Sequence, residues 1–178
     1  MRSLLVLVLF LVACFAVAAF AAQLTPGDWY AALDKPSWNP PSWVFAPVWT
    51  VLYALMAVAG WLAWRSGEGG GERVDPVHGA AEAATRAAGA PSVRSRRRVA
   101  LGAFALQLTL NGAWSWLFFG LHLPGVAFVE IVVLWVAILA TTVLFWRLRP
   151  LAGALLLPYL AWVGYAAALN LALWQLNG

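Results

Sequence analysis

Residues 29–53 read WYAALDKPSWNPPSWVFAPVWTVLY, an aromatic- and proline-rich segment that runs directly into an apolar stretch. Its four Trp side chains are rigid and amphipathic, which suits a membrane interface or a flat hydrophobic ligand. The Pro40-Pro41 pair forbids a continuous helix and favours an extended elbow. We therefore expect the chain to leave one helix, cross a shaped aromatic loop and enter another helix.

Composition places the chain in a membrane, since 63% of its residues are hydrophobic, only 10% are charged and the mean hydropathy is +0.81. Apolar runs of about 20 residues, the length that crosses a bilayer core, cover residues 4–22, 44–64, 99–119, 125–146 and 151–176. These runs predict an all-α integral membrane protein, a five-transmembrane-helix bundle forming a single domain over residues 1–178. Residues 65–98, which are rich in Arg, Gly and Ala, are expected to form a flexible cytoplasmic loop.

Basic residues are distributed unevenly across this topology. Ten of the 11 Lys and Arg residues fall on one side, and only Lys35 falls on the other. The positive-inside rule therefore predicts a cytoplasmic amino terminus and a periplasmic carboxyl terminus, with the aromatic loop on the outer side. A bacterial inner membrane is the expected location, although an outer membrane fits the same topology. Nucleic acid is not expected as a partner, because the Arg cluster lacks interleaved aromatic residues.

The first apolar run has a second interpretation. Arg2 precedes it and residues 19–21 (AFA) match a signal-peptidase site, while residues 11–14 (LVAC) resemble a lipoprotein processing box. A retained first helix is favoured, because the run leads directly into the elbow. Cys14 is the only cysteine, so an intramolecular disulfide is excluded, and we interpret it as a small apolar residue.

Polar and aromatic side chains recur at helical spacing in three of the predicted spans. These stripes comprise Trp49, Tyr53 and Gly60 in the second span, Gln107, Asn111, Trp114 and Phe118 in the third, and Tyr159, Trp162, Ala166 and Asn170 in the fifth, where Pro158 is expected to kink the helix. Ordinary helix packing would explain any single member. Carboxamides are costly inside a membrane without a partner, so the set together favours an aromatic cavity for a large planar ligand with polar edges.

The chain resembles the TspO/MBR family of tryptophan-rich sensory proteins and translocator proteins, formerly the peripheral-type benzodiazepine receptor. The resemblance covers all five spans. Its markers are Trp29-Tyr30, Leu33, Lys35-Pro36, Trp38, Pro40-Pro41, Trp49, Tyr53, Gln107, Asn111, Trp114, Phe118-Phe119-Gly120, Pro158-Tyr159, Trp162 and Leu169-Asn170.

This resemblance implies a five-helix bundle with a ligand pocket under the first loop. It implies binding of porphyrins such as protoporphyrin IX and haem, of sterols and of synthetic benzodiazepine-type drugs, and it implies a homodimer. Tyr30, Trp49, Asn111, Trp114, Trp162 and Ala166 occupy the positions that line the pocket in that family. The candidate ligand-binding set consists of these six residues together with Trp38, Pro41, Tyr53, Gln107, Phe118, Tyr159 and Asn170.

Two departures from the family pattern affect the expected ligand and the loop. Animal members have a sterol-recognition sequence with a Tyr after Leu-Asn and then an Arg, whereas this chain has Leu171 after Leu169-Asn170 and lacks the cation. A porphyrin is therefore favoured over cholesterol. The 65–98 segment is longer than expected, and its end at Arg94 to Arg98 is interpreted as a polybasic anchor for anionic membrane lipids.

The sequence has no metal-ligand cluster, no nucleophile beside a base and no phosphate-binding glycine loop, so we expect neither an enzyme nor a required cofactor. His78 and His122 lie in predicted loops, so haem would bind without a histidine ligand. The exception is light-dependent porphyrin breakdown against Trp49 and Trp162. Glu130 is interpreted as a structural group that reaches the interface or an indole N–H, with proton coupling as the alternative.

The expected function is a membrane receptor or sensor that binds tetrapyrroles and senses, sequesters or transports them. A sterol- or lipid-binding translocator, or an assembly factor with an incidental pocket, is the alternative. Internal repeats, which mark many alternating-access carriers, are not evident in the sequence.

Overall fold

A computed structural model describes residues 1–24, 27–66 and 92–178 of the chain, and these residues are predominantly helical. Helix α1 spans Arg2–Gln23 and a short helix, α2, spans Asp28–Ala32 in the first loop. A 3-10 turn at Ser42–Val44 leads into α3, Phe45–Arg65. The remaining helices are α4 at Val93–Ser115, followed by a π-helical turn at Trp116–Gly120, α5 at Pro124–Leu148, α6 at Pro150–Ala154 and α7 at Leu157–Asn177.

Within the described ranges, four helical stretches are long and apolar enough to cross a membrane: Arg2–Gln23, Ser42–Arg65, Pro124–Leu148 and Pro150–Asn177. Helix α4 differs because its first turns carry four arginines, although it is apolar from Val99 onward. Its buried face includes Phe104 and Asn111, so α4 packs inside the bundle with the other long helices. The all-α membrane fold predicted from the sequence is therefore confirmed.

The five long helices close into a ring. Helix α1 packs against α3 and α4, α4 packs against α5, and α5 packs against α7, which returns to α3. Gly60 lets α3 approach α1, since a Cβ there would lie 2.7 Å from the Phe10 ring. Phe10 in turn meets Phe104 edge-on at 5.7 Å. Gly60 therefore serves helix packing, and the expected stripe with Trp49 and Tyr53 does not extend to it.

The fifth predicted span, 151–176, is not one continuous helix. Helix α6 ends at Ala154 and α7 begins at Leu157, because Pro158 has no N–H and its ring would clash with the carbonyl four residues earlier. Pro158 occupies the second position of α7, where proline is tolerated. The predicted interruption thus lies at Leu155 and Leu156, whose backbone dihedrals stay in the right-handed helical region.

The loop predicted at residues 65–98 is shorter at both ends. Arg65 is the last residue of α3, and residues 93–98 form the first turns of α4. The Ser92 side chain accepts a hydrogen bond from the Ser95 N–H and caps the helix. Arginine is a good helix former, so the charge run is helical. Residues 67–91 lie outside the described part of the chain.

One end of the bundle collects positive charge, and we call it the arginine end. Arg2, Arg65 and Arg147 lie at the ends of α1, α3 and α5, together with Arg149 and the cluster at the start of α4. The Arg97 guanidinium donates to the Trp64 carbonyl oxygen at 3.1 Å, and Arg65 lies 4.8 Å from the Trp61 ring. The first loop lies at the opposite end, which we call the loop end.

Candidate functional site

Three buried side chains from three helices form a hydrogen-bonded group that we call the central network. The Tyr53 hydroxyl of α3 donates to Asn111 Oδ1 of α4 at 2.5 Å, and Asn111 Nδ2 donates to the Tyr159 hydroxyl of α7 at 3.1 Å. All three residues are at most 3% exposed. The Asn111 carboxamide is thus satisfied at both atoms, as a buried polar group in a membrane requires.

Gln107 lies one helical turn from Asn111 on the same face of α4. It is 1% exposed, and neither of its side-chain amide atoms has a hydrogen-bond partner among the described residues. Most buried polar side-chain atoms in proteins are paired, and each exception needs an explanation such as a ligand or an ordered water. Gln107 therefore offers a free donor and a free acceptor beside the central network.

A second polar pair holds the loop end of the same helices together. Trp114 Nε1 of α4 donates to Asn170 Oδ1 of α7 at 3.0 Å, and Asn170 Nδ2 donates to the Pro124 carbonyl oxygen at 2.8 Å. The Trp114 ring stacks on Phe118 with centroids 5.3 Å apart. Here the carboxamide of Asn170 joins the start of α5 to α4 and α7.

Aromatic rings surround the central network. Trp49 lies 5.4 Å from the Tyr53 ring and 6.3 Å from the Tyr159 ring, measured between centroids. Trp162 meets Phe45 edge-on at 6.0 Å and lies 5.7 Å from Tyr165. The rings contact one another in this conformation, so a planar ligand would exchange ring–ring contacts for ring–ligand contacts.

The first loop is internally tied by the Tyr30 side chain. Its hydroxyl donates to Asn39 Oδ1 at 3.1 Å, and the Lys35 ammonium lies 4.9 Å from its ring. Burial raises the pKa of the Tyr30 phenol, the hydrogen bond with Asn39 lowers it, and proximity to Tyr165 raises it further, with a net increase above the usual value. Tyr30 therefore stays neutral, and it remains a hydrogen-bond donor, throughout the physiological range.

The loop is also fastened to α7 and to the end of α4. The Tyr165 hydroxyl donates to the Trp38 carbonyl oxygen at 2.9 Å. Asn177 makes two hydrogen bonds with the backbone of Asp34, one accepted from its N–H at 2.8 Å and one donated to its carbonyl at 3.0 Å. The Trp29 ring stacks on His122 at 4.3 Å. Together these contacts close the loop end of the bundle.

A groove on the outer surface of the bundle separates α3 from α7, and we call it the α3/α7 groove. It has a volume of about 600 Å³. Its α3 wall consists of Pro47, Val48, Val51 and Leu52. Its α7 wall consists of Pro158, Ala161, Trp162 and Tyr165.

The structure brings together many of the residues predicted from the stripes. The central network and the Trp114–Asn170 pair contain five of them, and Trp49, Trp162, Ala166 and Gln107 pack in or against the same core. Phe118 instead belongs to a smaller cluster under the loop, with Trp29 and Tyr30. Trp114 contacts both clusters and connects them. Whether these residues bind a ligand remains a prediction.

Two predicted site residues do not join the others. Trp38 is 46% exposed and contributes only its backbone carbonyl to the loop contact, while its ring meets Tyr165 at 5.7 Å. Pro41 is exposed and precedes the 3-10 turn. Both belong to the aromatic elbow, where Trp38 lies in a turn closed by the Asn39 N–H bond to the Pro36 carbonyl and Pro41 precedes the 3-10 turn.

Glu130 makes no hydrogen bond to an indole N–H among the described residues, and its reach to the membrane interface stays a prediction. Both carboxylate oxygens are buried and lack a hydrogen-bond partner among the described residues. The residue follows Ala127 by three positions and precedes Leu134 by four, so it shares the inward face of α5 with these buried residues. It therefore lies on the bundle side of the helix.

Several residues of the site were missed from the sequence. Tyr165 follows Trp162 by three positions, so extending that stripe would have included it. Phe45 was part of the quoted aromatic segment, but its contact with Trp162 depends on how α3 and α7 pack. The pairing of Asp34 with Asn177 has no local signal, because the two residues are separated by 143 positions.

The fold and the site define an all-helical integral membrane protein with a polar, aromatic-rich interior beneath a fastened loop. Residues 5–175 match the sequence model of the TspO/MBR family. The chain therefore belongs to the TspO/MBR family, which confirms the resemblance found in its motifs.

Relatives from bacteria and animals agree with this assignment. The chain is 34% identical over 175 residues to protein CrtK of Rhodobacter capsulatus, covering 98% of this chain and 94% of that protein. It is 36% identical over 179 residues to the tryptophan-rich protein TspO of Chlorobaculum tepidum, covering 99% and 98%. It is 38% identical over 149 residues to the human translocator protein, covering 84% and 75%.

Proposed function

We propose that this protein is a membrane receptor that binds a tetrapyrrole, such as protoporphyrin IX or haem, between the helices beneath the first loop. The observation that carries the proposal is the central network of Tyr53, Asn111 and Tyr159 enclosed by aromatic rings. Each aromatic contact with a planar ligand contributes about 0.5 to 1.5 kcal/mol beyond burial. The nearby Gln107 amide, which lacks a partner among the described residues, supplies both kinds of hydrogen bond to a polar ligand edge.

Binding does not depend on a metal ligand from the protein in this proposal. His122, the one histidine within the described residues, stacks on Trp29 at the loop end. Protoporphyrin IX and haem are therefore held as planar molecules through their faces and edges. The protein itself supplies shape, apolar surface and hydrogen bonds.

The test is quenching of intrinsic Trp fluorescence by protoporphyrin IX in the purified protein. The wild type is expected to show saturable quenching, and Asn111→Ala is expected to weaken binding by about tenfold, which corresponds to about 1.4 kcal/mol. Thr109→Ala is the matched control, because Thr109 lies on the same helix, is exposed and bonds only to the Ala105 carbonyl. Circular dichroism checks that both variants are folded.

Linear quenching that is indifferent to Asn111→Ala would mean that the porphyrin partitions nonspecifically. The proposal would then fail in favour of a sterol or another lipid as ligand, or of a structural role. Saturable binding would leave transport and sequestration to be separated by uptake into proteoliposomes. Accumulation that saturates and is lost in the same variant would establish transport.

Light-dependent breakdown of the porphyrin is a second candidate function, and the position of the indoles favours it. Trp49 lies against both tyrosines of the central network, and Trp162 packs against the same core. A bound photosensitiser would thus have two oxidisable rings beside it. The test is an oxygen- and light-dependent change in the porphyrin spectrum, which Trp49→Phe or Trp162→Phe should abolish.

The orientation and assembly of the protein are part of the proposal. The concentration of arginines at one end favours a cytoplasmic arginine end and a periplasmic loop end in a bacterial inner membrane. Large apolar side chains of α1, including Leu5, Leu9 and Val12, are more than half exposed and suit lipid or the partner subunit of a homodimer. Protease accessibility of the loop end in intact inverted and right-side-out vesicles tests the orientation, and cross-linking tests the dimer.

A further inference from the structure

We propose that the α3/α7 groove is the entrance through which the ligand reaches the bundle, so that a planar, largely apolar molecule dissolved in the bilayer enters sideways between these helices. The inference rests on the proposed tetrapyrrole-binding function and specifies its route. It follows from the position of the groove, its lining and the closure of the loop end.

The groove lies between two helices that are long and apolar enough to span a bilayer. Pro47, Val51, Pro158 and Ala161 in its walls are exposed, so the opening faces the surrounding lipid. Tyr165 supplies the one hydroxyl of the lining, and this hydroxyl is already bonded to the Trp38 carbonyl. An apolar ring system is therefore the occupant whose surface chemistry matches the walls.

The seam between α3 and α7 is also thinly packed, although α6, which precedes α7 in the same span, packs on α3. These two helices touch each other less closely than α3 touches α1 or α7 touches α5. Pro47 and Pro158 lie in the first turns of the two helices, and Ala161 leaves space between the walls. Opening this seam therefore disrupts fewer packed side chains than separating α3 from α1 or α7 from α5.

The groove adjoins the central network along both helices. Leu52 and Pro158 line the groove, and the next residues along the chain, Tyr53 and Tyr159, belong to the network. Successive residues on a helix are rotated by about 100°, so a ligand in the groove is one side chain away from the network on each wall. Trp162 lines the groove and packs against the core, which makes its ring the barrier between the two spaces.

Access from the aqueous side is blocked in this conformation. Leaving through the loop end requires breaking the two Asp34–Asn177 hydrogen bonds, the Tyr165–Trp38 hydrogen bond and the Trp29–His122 stack. Lateral access requires moving the Trp162 ring away from Phe45 and separating α3 from α7. Side-chain rotation is also much faster than loop opening.

The experiment measures association and dissociation rates of protoporphyrin IX in lipid nanodiscs by stopped-flow Trp quenching, with the porphyrin delivered from liposomes. Ala161→Phe narrows the groove from α7, and Val51→Phe narrows it from α3. Val132→Phe is the matched control, because Val132 is 44% exposed on α5 and lies outside the groove. In a second arm, Asp34→Cys with Asn177→Cys locks the loop by a disulfide.

We expect each groove variant to slow association and dissociation by a similar factor of about ten, with little change in Kd, because a narrower passage raises the barrier in both directions. The control and the oxidised loop lock should retain the wild-type rates. Three results would each overturn the lateral route. The first is unchanged rates in both groove variants, and the second is a weaker Kd in them at an unchanged association rate. The third is loss of association in the loop lock. Saturable wild-type binding with any of these results would leave the proposed function standing, whereas nonsaturable wild-type quenching would remove both.

Discussion

Replacing Asn111 by Leu would remove both hydrogen bonds that join α3, α4 and α7 at the centre of the bundle. Hydrogen bonds between membrane helices contribute about 0.6 kcal/mol on average and about 1.7 kcal/mol at most, so the two bonds account for about 1.2 to 3.4 kcal/mol. Tyr53 and Tyr159 are 3% and 0% exposed, so their hydroxyls would lose Asn111 without gaining access to solvent. We therefore expect Asn111→Leu to lower the free energy of unfolding by about 2 to 3 kcal/mol.

The assay is reversible unfolding in mixed detergent micelles, with an increasing fraction of denaturing detergent and helicity as the signal. The matched control is the triple variant Asn111→Leu, Tyr53→Phe and Tyr159→Phe, which removes the partners together with the carboxamide. Replacing all members of a buried polar group by apolar ones of similar shape is nearly neutral, so most of the lost stability should return. Two results would contradict this reasoning: a free energy of unfolding of Asn111→Leu within about 0.5 kcal/mol of the wild type, or a triple variant that is no more stable than Asn111→Leu.

Two further predictions concern helix packing and the loop. Gly60→Ala should lower stability by about 1 to 3 kcal/mol, because the new Cβ would lie 2.7 Å from the Phe10 ring. The control is Gly102→Ala, whose new Cβ would meet nothing within 4 Å. This control should be neutral or stabilise the helix by up to about 1 kcal/mol. Thermal unfolding of the two variants in one detergent compares them, and equal effects would contradict the packing argument. Asn177→Ala should release Asp34 from α7 while the Tyr165–Trp38 hydrogen bond remains, and hydrogen exchange at the Asp34 amide should become faster. Unchanged exchange at that amide would show that the other loop contacts suffice.

The membrane fold could be predicted from the sequence because hydropathy and length act locally. Long apolar runs have few alternatives to a membrane helix, and backbone groups in lipid must be satisfied within the segment. Proline chemistry explains the interruption before Pro158, but only the structure shows that it separates two helices. The charge run from Arg94 to Arg98 predicts a loop, but the helix propensity of arginine and the Ser92 cap make it the start of α4.

Periodicity identified the candidate site in part. Asn111 stood out because it shares a helical face with Gln107 and Trp114, and the structure indeed points it at two tyrosines. Spacing within one helix says nothing about which residue lies opposite on another, so the Tyr165–Trp38 contact could not be derived. The α3/α7 groove likewise results from how two helices pack.

The Asp34–Asn177 hydrogen bonds connect the start of the chain with its last helical turn across 143 positions. During synthesis, the first loop therefore emerges long before the residue that fastens it. A nascent chain that has inserted α1 and α3 has no partner for Asp34 until α7 is complete. Loop closure is thus a late event in biogenesis, and protection of the loop against protease would report that the whole bundle has been assembled.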